Sequence, residues 1–149
     1  MKILILNGPN LNIIGQRDTT LYGTATMEDV FSELKEHYRS LHTIDYAQSN
    51  IEGALIDKLQ NADGVYDGIV FNAGGYTHTS VAIGDTIAAL TTPVIEVHMS
   101  NIYARETFRQ HSYLSSVCAG TITGLGKIVY RLGIEALVLR AVNSSGKRK

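Results

Sequence analysis

The sequence predicts one α/β domain, a parallel sheet with helices on both faces. Three observations carry this. Lys2 to Leu6, Gly68 to Asn72 and Val94 to His98 are short apolar runs with little alternation, as in strands buried on both sides. The segments between them repeat their apolar residues at helical spacing. The order βαβαβαβ(α)βα then calls for crossover connections within a single sheet. Five strands in a chain of 149 residues suggest a flavodoxin-like three-layer sandwich, strand order 2-1-3-4-5. The domain is expected to span 1–142, with a polar basic tail over 143–149.

Strand 1, Lys2 to Leu6, is followed by a loop from Asn7 to Gly23. At about seventeen residues it far exceeds the usual two to six, and it follows the carboxyl end of a strand, where ligands sit. A lid over the active site is expected there. Thr26 and Asp29 form a capping pattern, and Met27, Val30, Phe31, Leu34, Tyr38 and Leu41 give a helix one buried stripe. Thr43 to Gln48 reads as strand 2. Ser49 and Glu52 suggest a second capping box, heading a helix with Ile51, Leu55 and Leu59 inward. Gly68 to Asn72 is strand 3, Ala73 to Thr79 a polar turn, and Ser80 to Leu90 a helix ended by Thr91-Thr92-Pro93. Val94 to His98 is strand 4. The loop from Met99 to Ser112 has a helical turn near Arg105 to Gln110. Ala119 to Thr123 is strand 5. A final helix is expected to bury Leu125, Ile128, Val129, Leu132, Ala136 and Leu139.

Composition narrows the function. Hydrophobic content of 44%, charged content of 18% and a net charge of −1 indicate a globular chain with no bias toward nucleic acid or an acidic membrane. No apolar run approaches the roughly 20 residues of a membrane span, and the apolar start is too short for a signal peptide, so a cytoplasmic location is expected. Cys118 is the single cysteine, which excludes an internal disulfide and reads as a structural thiol. No phosphate-binding NTPase loop, dinucleotide fingerprint or nucleophile elbow occurs, and the histidines are scattered. The expected site uses no metal and no cofactor.

The loops after strands 1, 3 and 4 should meet at one sheet edge. A guanidinium such as Arg17 beside Tyr22 would lower the phenol pKa from near 10 and make a general base. Tyr22 as a packing residue and Arg17 as a surface charge is the alternative. Glu96 and His98 lie two apart on a strand and share a face. The carboxylate would orient the imidazole as a general acid, and a glutamate inside a buried strand is costly unless paired. A core histidine bonded to backbone remains open. Met99 and Ser100 offer N–H groups and a hydroxyl to an anion. Asn72 offers an amide, and Gly74 and Gly75 allow close approach to backbone. His78 reads as a ligand donor or a surface residue. Arg105 and Arg109 read as ligand, surface or subunit-contact charges.

NGPNL at Asn7–Leu11, GQRDTTLYG at Gly15–Gly23, QSNIEG at Gln48–Gly53, NAGGYTHTSVA at Asn72–Ala82, EVHMSN at Glu96–Asn101 and ARETFRQHSYLS at Ala104–Ser115 together resemble type II 3-dehydroquinate dehydratase. The resemblance spans roughly residues 2 to 140. It implies dehydration of 3-dehydroquinate to 3-dehydroshikimate without a cofactor, in a dodecamer that is a tetramer of trimers. It implies Tyr22 as base with Arg17 activating it, and His98 as acid oriented by Glu96. Asn10 would help hold a water near the enolate. Asn72, Met99 and Ser100 resemble the carboxylate site, His78 and Arg109 the contacts to ring hydroxyls, and Asp85 a residue reaching a neighbouring subunit's site. Gly84, Gln110 and Val129 depart from common family residues. A second reading is a non-catalytic flavodoxin-like module holding a small anion or flavin phosphate. A purely structural assembly protein would give no reason for Glu96 inside a strand.

Overall fold

The computed structural model describes residues 1–15 and 26–145, without the side chain of residue 145. Among the described residues five strands, β1 (Lys2–Asn7), β2 (Thr43–Gln48), β3 (Gly68–Asn72), β4 (Val94–His98) and β5 (Gly120–Thr123), form one sheet in the order β2-β1-β3-β4-β5. Every neighbouring pair is parallel. The helices are α1 (Met27–Tyr38), α2 (Glu52–Ala62), α3 (Val81–Ala89) and α4 (Ile128–Ser145).

Side chains alternate across the sheet and divide the core in two. Ile3, Ile5, Val70, Ile95 and Val97 face α1 and α4, with Leu34, Tyr130 and Ile134. Leu4, Leu6, Ile69, Phe71 and Val94 face α2 and α3, with Leu55, Leu59 and Ile83. The central strands are apolar on both sides because both sides are covered, as their unalternating sequence requires.

The helix boundaries follow their caps. Thr26 accepts from the Asp29 N–H while Asp29 accepts from the Thr26 N–H, so the expected box starts α1. Ser80 caps α3 by accepting from the Ile83 N–H. The box expected at Ser49 and Glu52 does not form. Ser49 Oγ instead accepts from the Ile51 N–H, the chain stays extended through Ile51, and α2 begins at Glu52 with Ile51 exposed. Leu41 is likewise exposed, because α1 ends at Tyr38.

The buried stripe of α4 also differs from expectation. Val129, Tyr130, Ile134 and Leu137 are buried, whereas Leu125, Ile128 and Leu139 are exposed. Gly133 explains the choice of face. A Cβ there would lie 2.8 Å from Val70 Cγ1, so glycine alone lets the helix settle this closely on β3. A pattern search that counts only apolar side chains passes over that contact.

Candidate active site

A cleft of about 280 Å³ opens at the carboxyl edge of β1, β3 and β4. The loops expected to meet there do meet. Asn10, Asn72, His78, His98, Met99, Ser100 and Arg109 all line it, with Pro9, Ile102 and Arg105 among their neighbours. Two glycines let the first two loops close on each other. A Cβ on Gly8 would sit 2.4 Å from the Ala73 carbonyl oxygen. Gly74 has φ +57° and would place a Cβ 3.1 Å from the Pro9 carbonyl oxygen. Gly74 therefore serves loop-to-loop packing, a need separate from access for a ligand.

Behind the cleft lies Glu96, fully buried on β4. Its Oε1 is 2.9 Å from His98 Nε2 and accepts from Ser112 Oγ at 2.9 Å and Thr77 Oγ1 at 3.3 Å. Its Oε2 accepts from Ser115 Oγ and from Thr121 Oγ1 at 3.1 Å. Burial pushes the Glu96 carboxyl up, but the bonds from His98, Ser115 and Ser112 outweigh it and hold the pKa below the ordinary range. Glu96 is thus a carboxylate at neutral pH and can only accept. It follows that His98 Nε2 carries a proton toward it. Nδ1 is left as the nitrogen that can exchange one.

His78 lies beside it, the two imidazole centroids 6.3 Å apart and nearly parallel. His78 Nδ1 donates to the His111 carbonyl at 2.7 Å, since a carbonyl cannot donate. Burial pushes its pKa down and outweighs the opposing bond to the His111 carbonyl, which favours the neutral ring with Nε2 as an acceptor. It suits a ligand hydroxyl.

Asn10 adopts the left-handed conformation at φ 66°, held where its N–H donates to Asn50 Oδ1 at 3.0 Å. Gln48 Nε2 braces the same oxygen at 2.9 Å and also reaches the Gly8 carbonyl. The QSN stretch after β2 is therefore the support of Asn10. At the end of β4, the carbonyls of His98 and Met99 accept from the N–H groups of Gly124 and Gly126. The N–H of each of those peptides points the opposite way, so Met99 and Ser100 turn their N–H groups away from β5. Two N–H groups turned the same way are the kind of donor pair that can hold an anion.

Arg109 and Arg105 both approach Glu106, with Nε···Oε2 distances of 3.0 and 3.6 Å. The segment holding Arg109 is a 3-10 turn, Thr107–Gln110, and Arg105 lies before it. Asp85 is exposed on α3 and does not line this cleft. Arg17, Tyr22 and the lid reading of their loop lie outside the described residues. Cys118 is half-buried, and burial followed by the nearby Glu96 charge pushes its thiol up to about 12, which leaves it inert at neutral pH. Thr77, Ser112, Ser115 and Thr121 were not legible as site residues. Each is an ordinary hydroxyl in its own segment, and only the fold collects them around one carboxylate.

The profile of the family described as dehydroquinase class II matches residues 1–138. A 3-dehydroquinate dehydratase of Gloeothece citriformis is 50% identical over 138 residues, covering 92% of this chain and 91% of that one. A catabolic 3-dehydroquinase of Aspergillus clavatus is 49% identical, covering 93% of each. The crystal structure of a type II dehydroquinase from Butyrivibrio crossotus superposes with a TM-score of 0.88 at 44% identity, covering 92% of this chain and 97% of that one. With its cleft, its buried Glu96–His98 pair and these matches over nearly its whole length, the chain belongs to the class II dehydroquinase family.

Proposed function

We propose that the chain is a hydro-lyase that dehydrates 3-dehydroquinate to 3-dehydroshikimate, through an enolate and with no covalent intermediate. The observation that carries this is His98, held at the cleft by a buried carboxylate that has its own donors. Family membership supplies the substrate.

The substrate carboxylate binds at the N–H groups of Met99 and Ser100 and the Asn72 amide, and its ring hydroxyls meet His78 and Arg109. Tyr22, as phenolate beside Arg17, removes the proton from the carbon next to the ketone. The carbon–hydrogen pair becomes the enolate, which a water held by Asn10 stabilises. Fixed donors of this kind are worth roughly 10²–10³ in rate. The enolate then expels the hydroxyl on the neighbouring carbon. His98 gives that oxygen its proton, so water leaves and a conjugated enone remains. Tyr22 later returns its proton to restore His98 through solvent. An imine route would need a lysine at the cleft, and among the described residues no lysine lines it. Asp85, exposed on α3, serves a neighbouring subunit in a dodecamer. The product feeds aromatic biosynthesis or quinate breakdown.

Tyr22→Phe tests the chemistry. The variant should bind substrate and lose turnover by at least about 10²-fold, within the range for general base catalysis. Full activity in Tyr22→Phe would remove the phenol as base.

A further inference from the structure

Asn7 and Asn72 are register partners at the ends of β1 and β3, and both face the α4 side of the sheet. Tyr130, fully buried on α4, lies between them. Asn72 Nδ2 donates to Tyr130 Oη at 3.0 Å, and Tyr130 Oη donates to Asn7 Oδ1 at 3.0 Å. Asn72 Oδ1 accepts from the Gly74 N–H at 3.2 Å, and Asn7 Nδ2 reaches Tyr46 Oη at 3.5 Å.

The direction of this chain is determined from one end. A backbone N–H can only donate, so Gly74 requires the oxygen of the Asn72 amide to face it. The amide nitrogen must then face Tyr130. Tyr130 must accept there, so its single proton goes to Asn7. Asn7 must present oxygen to it, which turns its own nitrogen to Tyr46. Neither Tyr130 nor Asn7 lines the cleft, while Asn72 does.

We infer that Tyr130 and Asn7 form a directional hydrogen-bond relay that locks the Asn72 amide with its nitrogen inward, leaving its second N–H for the substrate carboxylate. Tyr130 and Asn7 are positioning residues in this scheme, and their effect on substrate rests on the dehydratase reading. Without the relay only the Gly74 N–H holds the amide, so its plane can rotate about that bond and the second N–H no longer points at the carboxylate.

The test is a double-mutant cycle on 3-dehydroquinate turnover. Tyr130→Phe should raise KM about tenfold with kcat within about twofold, because binding shared by ground and transition states is lost. Asn72→Ala should raise KM as well, and adding Tyr130→Phe to it should change KM no further. Tyr38→Phe is the control. Tyr38 is also buried and bonds Glu135, so its loss should lower Tm and leave KM unmoved. In Tyr130→Phe the Gly74 amide should exchange with solvent about tenfold faster, since its acceptor is no longer held. Additive effects of the two substitutions, or an unchanged KM, would overturn the relay. A wild-type protein that does not turn over substrate overturns the dehydratase reading instead, and the Gly74 exchange rate then decides the relay alone. If Tyr130→Phe does not fold, Asn7→Leu and Asn7→Asp replace it. Only Asn7→Leu removes the acceptor for Tyr130, so only it should raise KM.

Discussion

Glu96 sits in the interior of the sheet with His98, Thr77, Ser112, Ser115 and Thr121 as donors. An ion so buried survives only because every lone pair is engaged. Glu96→Gln replaces one acceptor oxygen with a donor that faces hydroxyls. It should cost about 1–3 kcal/mol of stability and roughly 10² in kcat, through a mis-set imidazole. The pH dependence carries the same signature. The folded pKa of Glu96 is depressed, so its stabilisation is complete above the ordinary glutamate value of about 4.3 and disappears as pH falls through the folded value. Thermal melts from pH 7 down to pH 3 should show a steeper acid loss in the wild type than in Glu96→Gln; parallel curves would refute this role. The pair itself was legible, because positions two apart on a strand must share a face. Its hydroxyl shell was not, since it is drawn from the segments around Thr77, Ser112–Ser115 and β5, with no local pattern in common. Tyr130 stayed hidden for a related reason: on a helix it reads as one more core aromatic.

At the scale of elements, the cleft depends on how closely the β1 and β3 loops meet. The Gly8 N–H donates to the Asn72 carbonyl at 2.7 Å, in a position where any Cβ would strike the Ala73 carbonyl. Gly8→Ala should therefore destabilise by about 1–3 kcal/mol, the usual range for overpacking, and reduce turnover by displacing Asn10 and Asn72 together. Calorimetry alongside kinetics checks this, and a variant with wild-type Tm would contradict the packing described. β1, β3 and β4 were well marked in the sequence because burial on both faces leaves unbroken apolar runs, whereas the edge strands β2 and β5 carry no such run. Helix faces were less so. In α4 the buried side is set by Gly133, whose contribution is the absence of a side chain, and in α2 the Ser49 hydroxyl preferred a local turn to the expected cap.

For the whole molecule, the outer surface of α4 is the feature left over from the single chain. Ile128, Leu139 and Val142 are exposed on it, and Val81 is exposed on α3 near Asp85. The proposed dodecamer would give such residues partners and would bring Asp85 to a neighbouring site. Sedimentation equilibrium should return a mass twelve times the 16.2 kDa of the chain, and a monomer at micromolar concentration would contradict the assembly. The parallel order β2-β1-β3-β4-β5 was legible from alternating element types, and it alone brings the loops after β1, β3 and β4 to one edge.

The proposed dehydratase performs its elimination at this edge. Wild-type protein mixed at neutral pH with 3-dehydroquinate alone should produce a rising ultraviolet absorbance from the conjugated enone, at a rate proportional to enzyme concentration. Folded, assembled protein that leaves that absorbance flat would contradict it.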